Sequence, residues 1–355
     1  MTQFLADLYP TKVSYNPTSI TDVTTDQTPA TSALNSMLAY TQSTAADRTV
    51  TLPSVGSSED KKWLSIVNNS DYIITITASD SDTIGWPALS IASAEILPNT
   101  YVVVQYKHSN AKWMIAEKTG NQCRPSGTAL YLPMNRLGIY PASGANTTVK
   151  DATGQHLGYG ETDGVNVSNT TYKFTASYDF DGSDGHITFQ DSPDWDLFSS
   201  QSGDVTMCGW IYCDDAVGAN QDFMTQREDA GNRWYFRRNT SGNLAMRYNT
   251  GGSIEIDIVG GTLSQSTWHH VALVKKGAET GIYIDGVQVA YDATFTADTL
   301  AAQLFVGYQD GSTTEFDGKM DDWAIVYHNI FGAAPNSTPN DSFTVDTLNP
   351  LGLIL

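Results

Sequence analysis

The chain of 355 residues carries 39 acidic against 19 basic side chains, a formal net charge of −20, with 40% hydrophobic and only 16% charged residues. A surface this negative repels phosphate backbones and anionic lipid, which argues against nucleic acid and membrane surfaces as partners. No run of about 18 apolar residues exists to span a bilayer.

The start has neither the basic region nor the apolar core of an export signal, so secretion is not expected. Three cysteines, Cys123, Cys208 and Cys213, give no disulfide framework and are expected as reduced structural thiols. Cys208 and Cys213 stand five apart in a strand pattern, so their side chains should face opposite ways.

Residues 1–48 show neither a helical nor a strand period, and Pro10, Pro17 and Pro29 interrupt them. Phe4, Leu5, Leu8 and Tyr9 cluster at the start, which fits a frayed terminus or an extended arm docking on another protein. Ala33–Tyr40 suggests one short helix. Residues 49–119 read as a compact β unit: TVTLP, then WLSIVNNSDYIITITAS with two strands across the turn-forming Asn68–Asp71, then Tyr101–Tyr106 and KWMIAEK. Gly120–Gly127 reads as a linker.

A larger β domain, 120–335, follows. Its clearest signal is Trp268–Ala290. Trp268, His270, Ala272 and Val274 alternate with His269, Val271 and Leu273, as a pleated strand requires. His270 is placed on the inward face with Ala272 and read as structural. Gly281–Ile284 is a second strand, and Asp285-Gly286 supplies a two-residue turn before Val287–Ala290 returns. Residues 336–355 form a tail, read as a segment covering the domain or a docking peptide for a partner.

Two resemblances follow from quoted stretches. The run "VNN", "ITIT", "DTI", "LPNTYVVVQY" and "KWMI" in 49–119 resembles small β modules of bacteriophage head and tail fibres. That implies a homotrimer, since so small a module has a thin core of its own. Over about 200 residues, YDFDGSDGHITFQDSPDWDLF, DVTMCGWIYC, the Trp268–Ala290 hairpin and LFVGYQDGSTTEFDGKMDDWAIVY resemble the laminin G-like, concanavalin A-like jelly-roll family. Phe180, Asp181, Gly182, Trp210, Gly307, Gly318, Asp321, Asp322 and Tyr327 carry that likeness. The fold expected is therefore all-β: an antiparallel jelly-roll β-sandwich, preceded by a small β domain and an extended N-terminal arm.

The jelly-roll resemblance implies a calcium site at Asp181 and Asp321, with Asp184 and Asp317 as further contributors, because hard cations take several oxygen ligands. Asp181 before Gly182 also reads as a turn cap, and the Asp321–Asp322 pair as strand neighbours facing opposite sides. For glycan binding, exposed aromatic rings are needed. Trp195, Tyr248 and Tyr308 are the named candidates, beside Trp234, read as core, and Tyr235. Catalysis is not expected, since no E-x-D-x-E strand, G-x-S-x-G, H-E-x-x-H, C-x-x-C or P-loop occurs. The function expected is a bacteriophage virion protein, attached through its N-terminal arm to other virion proteins and displaying a lectin-like domain to host-surface polysaccharide. The competing expectation is a purely structural capsid or tail decoration protein.

Overall fold

The computed structural model describes residues 20–345, apart from 24, 41–43, 45, 71, 80, 81, 87, 88, 97–99, 119–122, 126, 127, 135–146, 152, 154, 155, 162, 163, 175, 200–202, 217 and 309–313. The cluster Phe4, Leu5, Leu8 and Tyr9 therefore lies outside the described residues. The chain divides into two compact units, 1–86 with 91–123, and 87–90 with 124–355. Among the described residues the only helical pieces are short 3-10 turns, and no helix is long and apolar enough to cross a membrane.

In the first unit, one sheet runs in the order Ile20–Val23, Ser36–Tyr40, Trp63–Asn68, Thr100–Lys107, Lys112–Lys118, Thr83–Trp86. A second runs Ser93–Ile96, Ile74–Ala78, Arg48–Leu52. Alternation explains the second sheet: in ITITA the isoleucines Ile74 and Ile76 are fully buried while the threonines between them are not. The helix expected over Ala33–Tyr40 is instead a 3-10 turn, Thr31–Ala33, followed by the strand Ser36–Tyr40. That strand pairs in parallel with Trp63–Asn68, so a long-range ladder overrides local helix preference. The β unit thus reaches back to Ile20, into the stretch expected as an arm.

The two strands flanking Asn68–Asp71 form, but not as a hairpin, because they lie in different sheets. Asn68 makes the corner: its amide donates to the carbonyls of Tyr72 (2.8 Å) and Ile96 (2.9 Å), and its Oδ1 accepts from the Ser70 N–H. The expected linker carries a short strand, Cys123–Pro125.

The second unit is a jelly-roll sandwich of two antiparallel sheets. The back sheet runs Val165–Ser168, Ser177–Asp181, Asp317–Val326, Val205–Cys213, Trp268–Lys276, Glu279–Ile284, Val287–Ala293, with Thr128–Leu132 added along Asp317–Val326. The front sheet runs Thr147–Lys150, Leu157–Glu161, His186–Phe189, Leu304–Val306, Gln221–Arg227, Arg233–Arg238, Asn243–Thr250, Ser253–Thr262. Between them lies one core in which Phe223 meets Phe316, Phe236 and Trp323 at ring separations of 5.4 to 6.1 Å. Cys213 joins this core while Cys208, also a buried free thiol, points to the opposite side of its strand.

The Asp285-Gly286 turn forms as expected, both residues at positive φ (51° and 80°). The face assignment of its first strand is reversed, however. Val271 and Leu273 enter the core, whereas His270 faces outward and is buried by another part of the chain. That part is the segment 331–345, which runs over the outer side of the back sheet. The Phe343 N–H donates to Gly286 O (2.8 Å), Gln288 N–H to Asp341 O (2.9 Å) and the Tyr283 hydroxyl to Asp341 Oδ2 (2.9 Å). Phe343 stacks on Phe331 at 4.1 Å, and both rings stand edge-on to His270. Burial pushes the His270 imidazole down to about 4. Beside this strap, the Phe174 ring and the Lys173 ammonium cover Trp210.

Candidate binding face

The outer side of the front sheet carries the candidate surface, exposed at Tyr159 and Asp257 and buried at Thr188, Phe305, Thr225 and Tyr235 between them. Register builds a row across it: Tyr159 opposite Thr188, Thr188 opposite Phe305, Phe305 opposite Thr225, Thr225 opposite Tyr235, Tyr235 opposite Arg247, Arg247 opposite Asp257. Six inter-strand steps make this row about 29 Å long. Tyr159 is 41% exposed at one end.

Tyr308 crosses the row, its carbonyl accepting from the Thr225 hydroxyl (2.8 Å). On one side of it lies an aromatic half. The half-buried Tyr308 stacks on His186 at 4.7 Å, and Phe305 stands edge-on to Tyr308 at 5.7 Å. Thr188 is 6% exposed, and its buried hydroxyl has no hydrogen-bond partner among the described residues.

On the other side lies a cationic half built by RWYFRR. Trp234 and Phe236 enter the core, so Arg233, Tyr235 and Arg237 share the outer side. The Arg237 guanidinium lies 3.4 Å from the Tyr235 ring centre, with Arg233 and Arg247 at 5.7 and 5.9 Å. Arg237 is paired with buried Asp222 through Nε (2.7 Å) and Nη2 (3.3 Å), and Arg247 with Asp257. Burial pushes Asp222 up to about 6 against the pull of Arg237. Burial and the charges of Arg237, Arg227 and Arg247 lower the Arg233 pKa.

Of the sequence candidates for sugar contact, Tyr308 and Tyr235 stand on this face, Tyr235 buried beneath the Arg237 guanidinium. Trp195 is fully buried: it closes the 3-10 turn Pro193–Trp195, and its indole N–H donates to Gln190 O (2.8 Å). Tyr248 is buried against Phe198 (4.5 Å, 15°), its hydroxyl donating to Thr296 O. Proximity to a turn does not tell whether a ring points out or in, and in these two cases it points in. Trp234 is core, as expected, its indole N–H reaching Gln226 Oε1 (2.9 Å). Tyr159, Phe305 and the arginines were not singled out, although alternation in RWYFRR already places Arg233, Tyr235 and Arg237 together.

The four carboxylates named for calcium do not form one oxygen cage. Asp181 and Asp317 are cross-strand partners, and Asp184 is exposed in the adjoining turn. Asp181 Oδ1 caps that turn, accepting from the backbone N–H of Ser183 (2.9 Å), Gly185 (3.1 Å) and Asp184 (3.3 Å). Burial opposes its charge, but these donors hold the carboxyl below its usual range. Asp321 belongs to a separate place. Its Oδ2 accepts from the N–H of Lys173 and Phe174 (both 3.1 Å), and burial, then the Asp322 charge, pushes it up to about 8. Asp321 and Asp322 do not simply alternate. Asp322 sits at φ 56° where the ladder slips, so that Met320 and Trp323 both enter the core, and Asp322 accepts from the Tyr131 hydroxyl (2.6 Å). Among the described residues no group of three or more His, Cys, Asp or Glu side chains is placed to hold a metal ion.

Residues 181–330 match the family model described as the concanavalin A-like lectin/glucanases superfamily. That stretch contains most of both sheets, and the match agrees with the sandwich topology. A search of curated proteins finds no match. Among solved structures, the chain is similar to domain 4 of an extracellular arabinanase from Geobacillus stearothermophilus in complex with arabinotriose, at 14% identity and TM-score 0.43, covering 61% of this chain and 94% of that one. It is also similar to a mutant Trypanosoma rangeli sialidase displaying trans-sialidase activity (13% identity, TM-score 0.40, 57% and 31%). A third similar structure is the binding domain of botulinum neurotoxin serotype D (13% identity, TM-score 0.41, 57% and 48%).

Proposed function

We propose that this chain is a bacteriophage virion protein, a head or tail fibre or appendage, whose jelly-roll sandwich holds host-surface polysaccharide on the outer face of its front sheet. The observation that carries the binding part is the row from Tyr159 to Asp257, which sets aromatic rings and polar groups on the side of the sandwich opposite its strap. Exposed Tyr159 and half-buried Tyr308 stack on the C–H faces of sugars, while the partly exposed Arg247 supplies hydrogen bonds. The virion part rests on the likeness of 49–119 to fibre modules. A homotrimer, anchored to other virion proteins through its N-terminal arm and present in many copies, would turn weak single-site affinity into avidity.

Binding rather than hydrolysis is the activity proposed. Among the described residues, the front-face carboxylates Asp222 and Asp257 are each engaged by an arginine, so neither stands free as an acid or base across the row. A glycan array probed with the whole chain, with and without calcium, tests this, alongside light scattering for mass. Retention of a bacterial surface polysaccharide, lost in Tyr308→Ala, and a trimer mass are the expected results. No binding to any polysaccharide would leave a purely structural decoration protein. Release of reducing sugar would overturn the non-enzymatic assignment, and a monomer mass the fibre assignment.

A further inference from the structure

We infer that residues 334–345 are an acid-released cover, closed over the outer back sheet while His270 is neutral and lifted when that imidazole takes a proton. The inference is independent of what the front face binds.

The cover has a fixed base and a light hold. At the base, the Asn329 amide donates to Ala333 O (2.7 Å), its Oδ1 accepts from the Ala333 N–H (3.0 Å), and Gly332 turns the chain at φ 64°. Beyond that turn two backbone bonds reach the sheet edge, Phe343 N–H to Gly286 O and Gln288 N–H to Asp341 O. Two side chains make the clasp. Gln288, 2% exposed, donates to Asn336 O (2.9 Å) and accepts from its N–H (3.3 Å). Asp341 Oδ2 accepts from the Tyr283 hydroxyl (2.9 Å) and the Ala334 N–H (2.7 Å). Of residues 334–345 only Pro335 is buried. A segment that buries so little opens at a lower cost than the sheets beneath it.

What the cover closes on is His270. The side chain is buried, and its Nδ1 has no hydrogen-bond partner among the described residues. Phe343 from the cover, Phe331 and Trp210 surround it at ring separations of 6.3, 5.7 and 5.4 Å. An imidazolium carries two N–H donors and a charge, and carbon rings offer it no acceptor. Charged groups approach from each packed element. Asp285 Oδ1 accepts from the His270 backbone N–H (2.9 Å), while its other oxygen holds His269 (2.8 Å). Lys173 lies 3.8 Å from the Trp210 ring centre, Asp321 stands opposite Trp210 on the next strand, and Asp341 of the cover is engaged by Tyr283. Burial is the largest influence and disfavours the proton, Asp285 opposes it, and Lys173 adds to it. Lifted, the imidazole returns to its ordinary range. The shut form thus excludes a proton that the open form takes up, so closure weakens as pH falls below about 6.5.

Hydrogen exchange read by mass spectrometry on the whole chain, corrected for the intrinsic rate, is the test. From pH 7.5 to pH 5, protection of 334–345 and of Gln288 should fall about 25-fold, as an imidazole held at about 4 when shut and about 6.5 when open requires. The ladder between Val205–Cys213 and Trp268–Lys276 should keep its protection. His270→Phe should hold the cover shut at both values, because its ring fills the same place and takes no proton. Gln288→Ala should loosen the cover at pH 7.5 and keep the further fall toward pH 5. Constant protection in the wild type, or an equal fall in His270→Phe, would overturn the inference. So would loss of protection throughout both sheets at pH 5, which is acid unfolding and not a lifted cover.

Discussion

Gly209→Ala offers the sharpest check on the packing of the sandwich. Gly209 lies in the central strand Val205–Cys213, opposite Val271, with its missing side chain directed at the indole of Trp323. A Cβ there would fall 2.4 to 2.5 Å from Trp323 Cγ, Cδ2 and Cδ1. Ordinary contact needs about 3.5 Å or more, so the indole must retreat by roughly 1 Å. It has nowhere to go: Trp323 is fully buried against Phe223 and Phe236, and its N–H is tied to Trp210 O (3.1 Å). Overpacking of this kind costs about 1–3 kcal/mol. Straining the indole hydrogen bond adds about 0.5–1.5 kcal/mol. Replacing a strand glycine returns up to about 1 kcal/mol through the unfolded chain. The net expectation is a loss of about 2–3 kcal/mol, or on the order of 5–10 °C in the melting temperature of a unit this size. Urea unfolding followed by tryptophan fluorescence measures it. Trp323→Phe supplies the control, since a smaller ring should make Gly209→Ala cheaper in that background by a kcal/mol or more. An unchanged midpoint for Gly209→Ala, or strictly additive losses in the double variant, would refute the contact.

Three further outcomes follow. Burial, then the Asp322 charge, raises the Asp321 pKa to about 8, above its unfolded value of about 4. The native state thus keeps a proton that the unfolded chain releases, and this contribution to stability is full below about pH 4 and falls as pH rises to about 8. Asp321→Asn keeps an acceptor for the Lys173 and Phe174 amides without the charge, so it should gain stability over wild type between pH 5 and pH 8; parallel urea midpoints at both values would contradict this. Trp195→Ala should cost about 3–5 kcal/mol as a core truncation, whereas Tyr308→Ala should cost under about 1 kcal/mol yet abolish glycan retention, as thermal melts and the array can compare. Phe343→Ala should open the strap over His270 and move its pKa from about 4 toward 6.5, and an imidazole still titrating near 4 by NMR would show that the strap does not bury it.

Much of the sandwich was legible because its signals are local. Asp285-Gly286 demands positive φ at two adjacent residues, and the structure has both. What escaped was set by distant partners. Ser36–Tyr40 is a strand only because Trp63–Asn68 offers it a parallel edge. His270 was placed on the wrong face because both sides of its strand are buried, one by the core and one by a strap some seventy residues downstream. Trp195 and Tyr248 sit near turns, yet Gln190 O and Phe198 are what receive them. Asp322 breaks simple alternation, and a backbone slip of one residue is not written in the composition of DDW.

The division between a covered sheet and an open one was nevertheless present in the residue pattern. A strand with both faces covered reads as a nearly continuous apolar run, and VTMCGWIYC does so, with eight of its nine residues buried. A strand with one wet face alternates, and SIEIDIV does so, Ile256 and Ile258 buried between exposed Asp257 and Val259. Cys208, Trp210, His270, Ala272 and Tyr283 on the outside of the back sheet could not be left to water, which is why the chain spends residues 331–345 and the Lys173–Phe174 turn on covering them. Arg233, Arg247 and Asp257 on the outside of the front sheet stay partly or fully exposed and need no such cover. Their substitution should therefore change what the sandwich binds far more than whether it folds, and that is the separation expected of a recognition face.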